Sequence, residues 1–220
     1  MPSTSEIIDH VRQNIHSHEV FLAGVETVFR KEPSLQIRPS VIHSLKVRLK
    51  DWSHLEGKIQ RIQVEGVEIS KSNVFDKITD LAGIRVIHLH QGQFTPIHAC
   101  ITKQIENHDW VLFEPPKAYT WDPESRAFFE GHGLAVEVKE SFYTSIHYVV
   151  KPRSDSIASC EIQVRTLFEE IWGEIDHVLN YPTPTTNASC REQIRVLARL
   201  VGAGSRLADS IFNTYGQGTH

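Results

Sequence analysis

Several common protein classes are excluded by what this 220-residue chain lacks. It has three cysteines, Cys100, Cys160 and Cys190, far apart and without a CxxC pair. A disulfide framework and a cysteine-rich zinc site are therefore not expected, and a reducing cytosol fits. No apolar run approaches the roughly 18–20 residues that span a bilayer. The start, MPSTSEIIDHVRQ, lacks the basic flank and apolar stretch of a signal peptide. There is no basic excess: 23 Lys plus Arg stand against 27 Asp plus Glu, a net charge of -4. Proteins that grip long nucleic acid usually carry the opposite balance. No GxxxxGK[ST], GxGxxG or GxSxG segment occurs, so P-loop, Rossmann and α/β-hydrolase readings lack their signatures. His88, His90 and the His108–Asp109 pair have no further ligands at metal-site spacing. What remains is ordinary globular usage, 40% hydrophobic and 23% charged, enough for one sizeable domain with helical extensions.

Periodicity organises the chain. Residues 5–30 repeat apolar side chains at helical spacing, with Ser5 as the expected cap and Pro33 as the stop. Residues 41–50 alternate as a strand. Short helices capped by Ser53 and around SNVFDKITD precede an apolar strand, GIRVIHL. A helix over 95–107 and a strand at WVLFEPP follow. Residues 115–135, with three prolines and two glycines, read as an irregular surface loop. LAVEVK and SIHYVVK read as a hairpin. IASCEIQVR is a strand that runs into a helix with Leu167, Phe168, Ile171, Trp172, Ile175, Val178 and Leu179 on its apolar side, closed by Pro182. A last helix covers 190–213. The expectation is an α+β fold: a mixed sheet of about five strands flanked by helices, with helical extensions at both ends. The divisions expected are an N-terminal helix over 1–35, a central domain over 36–182, and a linker with a C-terminal helix over 183–220.

Four places could carry chemistry. Lys46, Arg48 and Lys50 share one face of a strand, with Lys58 and Arg61 on the next helix. Three cations side by side are costly to bury unless anions meet them, although a solvated edge strand fits the pattern too. Asp80 precedes an apolar strand, where a carboxylate projects over the sheet rim, and Arg85 leaves the same strand. A turn aspartate with a salt-bridged arginine is the plainer alternative. Glu161, Gln163 and Arg165 alternate with Cys160, Ile162 and Val164, so the polar three face away from the core or toward a cleft. Tyr143 lies in a turn, where an aromatic stacks on a base. His147 follows in a strand, where a structural hydrogen bond is the commoner role.

These four pieces, in this order over residues 40–181, resemble the synthetase domain of the RelA/SpoT family, the alarmone (ppGpp) synthetases. RLKDWSHLEGK is similar to the family's RxK-x7-K nucleotide segment, and DLAGIRV to its D-hydrophobic-A-G-hydrophobic-R segment. FYTSIHYVV is similar to its GYxSxH guanine loop, and EIQVRTLFEEIWGEIDH to its EIQIRT segment with the following helix. The resemblance implies a nucleotidyltransferase-like fold. It also implies transfer of pyrophosphate from ATP to the 3′-hydroxyl of GDP or GTP, with release of AMP. It would place Arg48, Lys50, Lys58 and Arg85 on ATP. Asp80 and Glu161 would hold Mg²⁺ as the catalytic carboxylates. Lys139, Tyr143, His147 and Gln163 would bind the acceptor, with Glu161 or His147 as the base.

Phe142 stands where the family usually has glycine, His54 where many members have serine, and the segment before Lys139 is acidic and apolar rather than basic. The hydrolase domain of longer members is not expected, because its His and HD pattern is missing upstream of residue 40. A small synthetase-only, cytoplasmic member is implied, homo-oligomeric and tetrameric in many relatives, with no membrane partner. The tail NTYGQGTH is also consistent with a longer parent chain. Two alternatives stay open: a toxin-like relative that modifies adenine nucleotides or tRNA 3′ ends, and a silent nucleotide-binding module. Retention of both carboxylates argues against the second.

Overall fold

The computed structural model describes residues 3–37, 39–181 and 183–217. The chain opens with helix α1 (Thr4–Lys31), capped by Ser3 rather than Ser5. The Ser3 hydroxyl accepts from Glu6 N–H while the Glu6 carboxylate accepts from Ser3 N–H, a reciprocal capping box. Its stripe of Leu22, Val25 and Phe29 joins the main core, while Ile7, Ile8 and Val11 join a second cluster with Leu55, Ile59, Val74 and Phe75.

Strand β1 (Ser44–Leu49) leads into helix α2 (Trp52–Val64), whose cap is Asp51 instead of Ser53. The one-turn helix α3 (Val74–Lys77) precedes β2 (Ala82–His88). Then come α4 (Phe94–Glu106), the two-residue β3 (Val111–Leu112), β4 (Lys117–Thr120), α5 (Pro123–Gly131) and β5 (Ala135–Val138). The chain continues through β6 (Ser145–Lys151), β7 (Cys160–Thr166), α6 (Leu167–Asn180) and α7 (Ala188–Gln217). Pro182, the expected stop for α6, lies outside the described residues.

The mixed α+β architecture is as expected, but among the described residues the sheet has seven strands, not about five, in the order β1-β2-β7-β6-β4-β5 with β3 on β6. One strand, β4, comes from a region read as loop. Residues 115–135 hold β4 and α5, because Ala118 and Thr120 alternate inward and Pro123 occupies the first turn of a helix capped by Asp122. Proline is at home there, since its missing N–H would be unpaired anyway.

The expected hairpin is also corrected. β5 pairs in parallel with β4 across the α5 crossover, and β6 pairs antiparallel with β4, which therefore sits between them. A parallel pair needs such a crossover, and α5 provides it. The central strands β2 and β7 are parallel, with Gly83 opposite Glu161 and Arg85 opposite Gln163. β2 buries a nearly continuous apolar run interrupted at Arg85, whereas β7 alternates buried Cys160, Ile162 and Val164 with half-buried Glu161 and Gln163.

Candidate active site

The site grows from the polar faces of β1, β2 and β7 and from helices α2 and α6. Lys46 and Arg48 lie on β1 and Lys50 just past its end, and anions meet Lys46 and Lys50. Lys50 donates to Asp80 at 2.6 Å, and Lys58 of α2 donates to the other Asp80 oxygen at 2.8 Å. Burial alone would raise the Asp80 pKa, but the ammoniums of Lys58 and Lys50 overcome it and pull the carboxyl down to about 2. Burial in turn depresses the Lys50 ammonium, against the pull of Asp80.

Lys46 reaches Glu170 of α6 at 2.7 Å. Arg85 on β2 reaches the same Glu170 oxygen at 3.0 Å and Glu174 at 2.6 Å, and Arg165 lies 3.3 Å from the second Glu170 oxygen. The apolar reading of α6 is corrected here. Glu170 is among its buried residues, whereas Ile171, Ile175 and Val178 are 48%, 39% and 78% exposed. Sequence reasoning missed Glu170 and Glu174 as site residues. The signal was present: a row of cations on β1 requires counter-charges, and these glutamates lie four apart on one helix face.

Glu161 sits beside this cationic floor. It accepts from Gln163 Nε2 at 2.7 Å and meets His147 Nδ1 at 3.1 Å. Burial raises its pKa, but the bonds and charge of His147 outweigh that and leave it below the usual range, while the negative charge of Asp80 works the other way. The two acids are thus near enough to feel one another, although far apart along the chain. Tyr143 OH bonds His147 Nε2 at 2.9 Å and accepts from Arg165 at 3.1 Å, and the Arg165 guanidinium lies 5.4 Å from the Tyr143 ring centre. Arg165 also bonds the Gln163 side-chain oxygen.

Arg48, Lys50, Lys58, Asp80, Arg85, Tyr143 and Gln163 line one cleft of about 740 Å³. Glu161, Arg48, Arg85 and Gln163 line an adjoining hollow of about 220 Å³ over Gly83. His147 is joined to the cleft through Glu161 and Tyr143. Lys139 is not brought to the cleft wall. It pairs with Glu137 and covers the Tyr119 ring at 4.6 Å, and Tyr119 in turn meets His147 edge-on at 4.9 Å. His54 lines the cleft and meets Tyr181 edge-on.

The geometry suits a polyanion: cations and the ionised Asp80 line the cleft, the ionised Glu161 lines the hollow beside it, and the Tyr143 ring lies in the cleft wall. The description "Region found in RelA / SpoT proteins" matches residues 47–186. A curated relative, the GTP pyrophosphokinase YwaC of Bacillus subtilis, is 24% identical over 140 residues, which is 64% of this chain. The chain's match spans 59% of that relative's length. Among solved structures, a GTP pyrophosphokinase family protein from Streptococcus pneumoniae superposes with a TM-score of 0.66 at 20% identity, covering 97% of this chain and 94% of that one. The small alarmone synthetase 1 of Bacillus subtilis bound to its product pppGpp gives 0.60 at 20% identity, covering 96% and 95%. With most of its cleft inside the matched region, this chain belongs to the family of RelA/SpoT proteins.

Proposed function

We propose that this protein is a (p)ppGpp synthetase, which moves pyrophosphate from ATP to the 3′-hydroxyl of GDP or GTP and releases AMP. The observation that carries the reading is that Asp80 and Glu161, two ionised carboxylates, line a cleft and its adjoining hollow, which share Arg48 and Arg85, with Lys50 and Lys58 held on Asp80. The pppGpp seen on the Bacillus subtilis small alarmone synthetase supports a guanosine acceptor.

The donor set fits Mg²⁺. That ion favours hard oxygen ligands and is commonly held by one or two carboxylates plus substrate phosphates. Among the described residues no group of three or more His, Cys, Asp and Glu side chains forms a complete cage, so phosphate oxygens would complete the coordination of Asp80 and Glu161. When bound there, Mg²⁺ supplies charge neutralisation between the two polyphosphates.

The chain's own residues do the rest. Lys50 and Lys58, now on Asp80, turn to the donor phosphates, with Arg48 and Arg85 alongside. Tyr143 and Gln163 fix the acceptor so that its 3′-oxygen lies in line with the β-phosphorus. The new O–P bond forms as the bridging bond to the α-phosphate breaks, and AMP departs with that oxygen. The hydroxyl proton leaves toward the Glu161–His147 pair, linked at Nδ1. Lys139 acts from the rim, through Tyr119 and His147, rather than from the wall.

Residues 36–182 carry the reaction, and the terminal helices serve assembly. Val196, Leu200, Leu207 and Ile211 form an exposed apolar stripe on α7, 54–64% exposed, which favours a homo-oligomer. No helix among the described residues is long and apolar enough to cross a membrane, and the cysteines are free. Free cysteines accord with a cytoplasmic protein.

The test is product analysis with labelled ATP, Mg²⁺ and a panel of GDP, GTP, ATP and tRNA. The reading requires AMP together with label on the guanosine acceptor. Label on adenine nucleotide or tRNA instead would favour the toxin-like alternative, and nucleotide binding without AMP the silent module.

A further inference from the structure

Phe142 has a left-handed backbone, φ 65°, a region that a bulky residue enters only when its surroundings hold it there. Two sets of contacts do so. Its N–H donates to Lys139 C=O at 3.2 Å, and Thr144 is tied to Thr120 by their hydroxyls at 3.1 Å, which staples the turn to the end of β4. The Phe142 ring lies 5.1 Å from that of Trp121 and packs, with Tyr143, on a cluster of Trp172, Ile194, Ala198 and Val201. Three of those four residues belong to α7.

The helix is seated closely. A Cβ at Gly204 would come within 2.8 Å of the Phe168 ring, nearer than such atoms approach in practice. Arg206 reaches Asp122 at 2.7 Å, and Asp209 accepts from Gly92 N–H at 2.7 Å. Trp172 donates to Ile194 C=O at 3.1 Å, locking α6 to α7.

We infer that Phe142 is a positioning residue for the acceptor: its ring hangs the Tyr143 loop on the C-terminal helix, so the seating of α7 fixes where the acceptor base is held. The inference rests on the proposed synthetase reading for its substrate, but the mechanical claim stands on the packing alone. A left-handed turn is easiest for glycine. If only the backbone conformation mattered, Phe142→Gly would relieve strain and leave acceptor binding unchanged. The structure gives the ring the larger role.

The experiment compares wild type, Phe142→Gly, Phe142→Leu and Gly204→Ala. The last lies on α7, outside the cleft, and tests the seating alone. Acceptor and ATP are varied separately in steady-state assays, and backbone hydrogen exchange is followed over residues 139–145. Phe142→Gly and Gly204→Ala should raise the acceptor KM about tenfold with the ATP KM within about twofold. Both should also lose protection in the loop, while Phe142→Leu, which keeps an apolar anchor, stays near wild type. An unchanged acceptor KM in Phe142→Gly, an equal rise in both KM values, or unchanged loop protection overturns the inference. Should wild type transfer nothing to any acceptor, the synthetase reading falls. The exchange comparison then still decides whether Phe142 and α7 hold the loop.

Discussion

Asp80 carries two ammonium groups at once and is only 15% exposed at its side chain. Its ionisation is therefore tied to folding. The group's pKa is depressed from 3.8 to about 2, so its contribution is fully present above 3.8 and is lost as pH falls through about 2. That difference corresponds to about 2 kcal/mol. Asp80→Asn should lower stability by a similar amount at neutral pH in urea melts, because Lys50 and Lys58 lose their counter-charge. It should also flatten the stability profile between pH 4 and pH 2, and abolish pyrophosphate transfer. A variant as stable as wild type at pH 7 would show that the two lysines are held by something else.

At the scale of elements, β1, α6 and the β4–α5 region show what was readable from the sequence and what was not. The cationic face of β1 and the polar face of β7 were legible because strand alternation assigns a side to each residue from local order alone. The inward turn of Glu170 was not. Apolar spacing on α6 suggests that Ile171, Ile175 and Val178 are buried, but the cations of β1 and β2 draw a carboxylate inward instead, and that pairing spans more than 80 residues of chain. The parallel pairing of β4 with β5 was hidden for a similar reason. Two prolines ahead of β4 and one at the start of α5 look like loop composition unless the partner strand is known. Asp80 and Glu161 stand at the amino-terminal ends of parallel neighbours, a proximity that only the register of β2 on β7 creates. Glu170→Gln tests the network. It leaves Lys46, Arg85 and Arg165 short of one negative charge, and because Lys46 is half exposed the cost should be about 1–3 kcal/mol, read from urea melts. Transfer should also slow, since Arg85 loses its anchor. A neutral result would mean that Glu174 alone suffices.

For the molecule as a whole, the Tyr143 loop, the cationic cleft and the terminal helices pack together: α1 contributes Leu22, Val25 and Phe29 to the main core, and α7 packs against Tyr143 and Phe142. The outward stripe on α7 is an apolar surface that a lone chain leaves exposed. Leu200→Glu, on a side chain 64% exposed, should reduce the solution mass measured by light scattering to that of a smaller assembly without unfolding the chain. An unchanged mass would remove α7 as the interface.

In the proposed reaction Asp80 and Glu161 act on one divalent ion. Binding of Mn²⁺, used in place of Mg²⁺, is measured directly by its paramagnetic resonance with a non-hydrolysable ATP analogue present, in wild type, Asp80→Asn and Glu161→Gln. One nucleotide-dependent ion per chain in wild type, weakened at least about tenfold by either substitution alone, is the predicted result. Undiminished Mn²⁺ binding in either variant would contradict it.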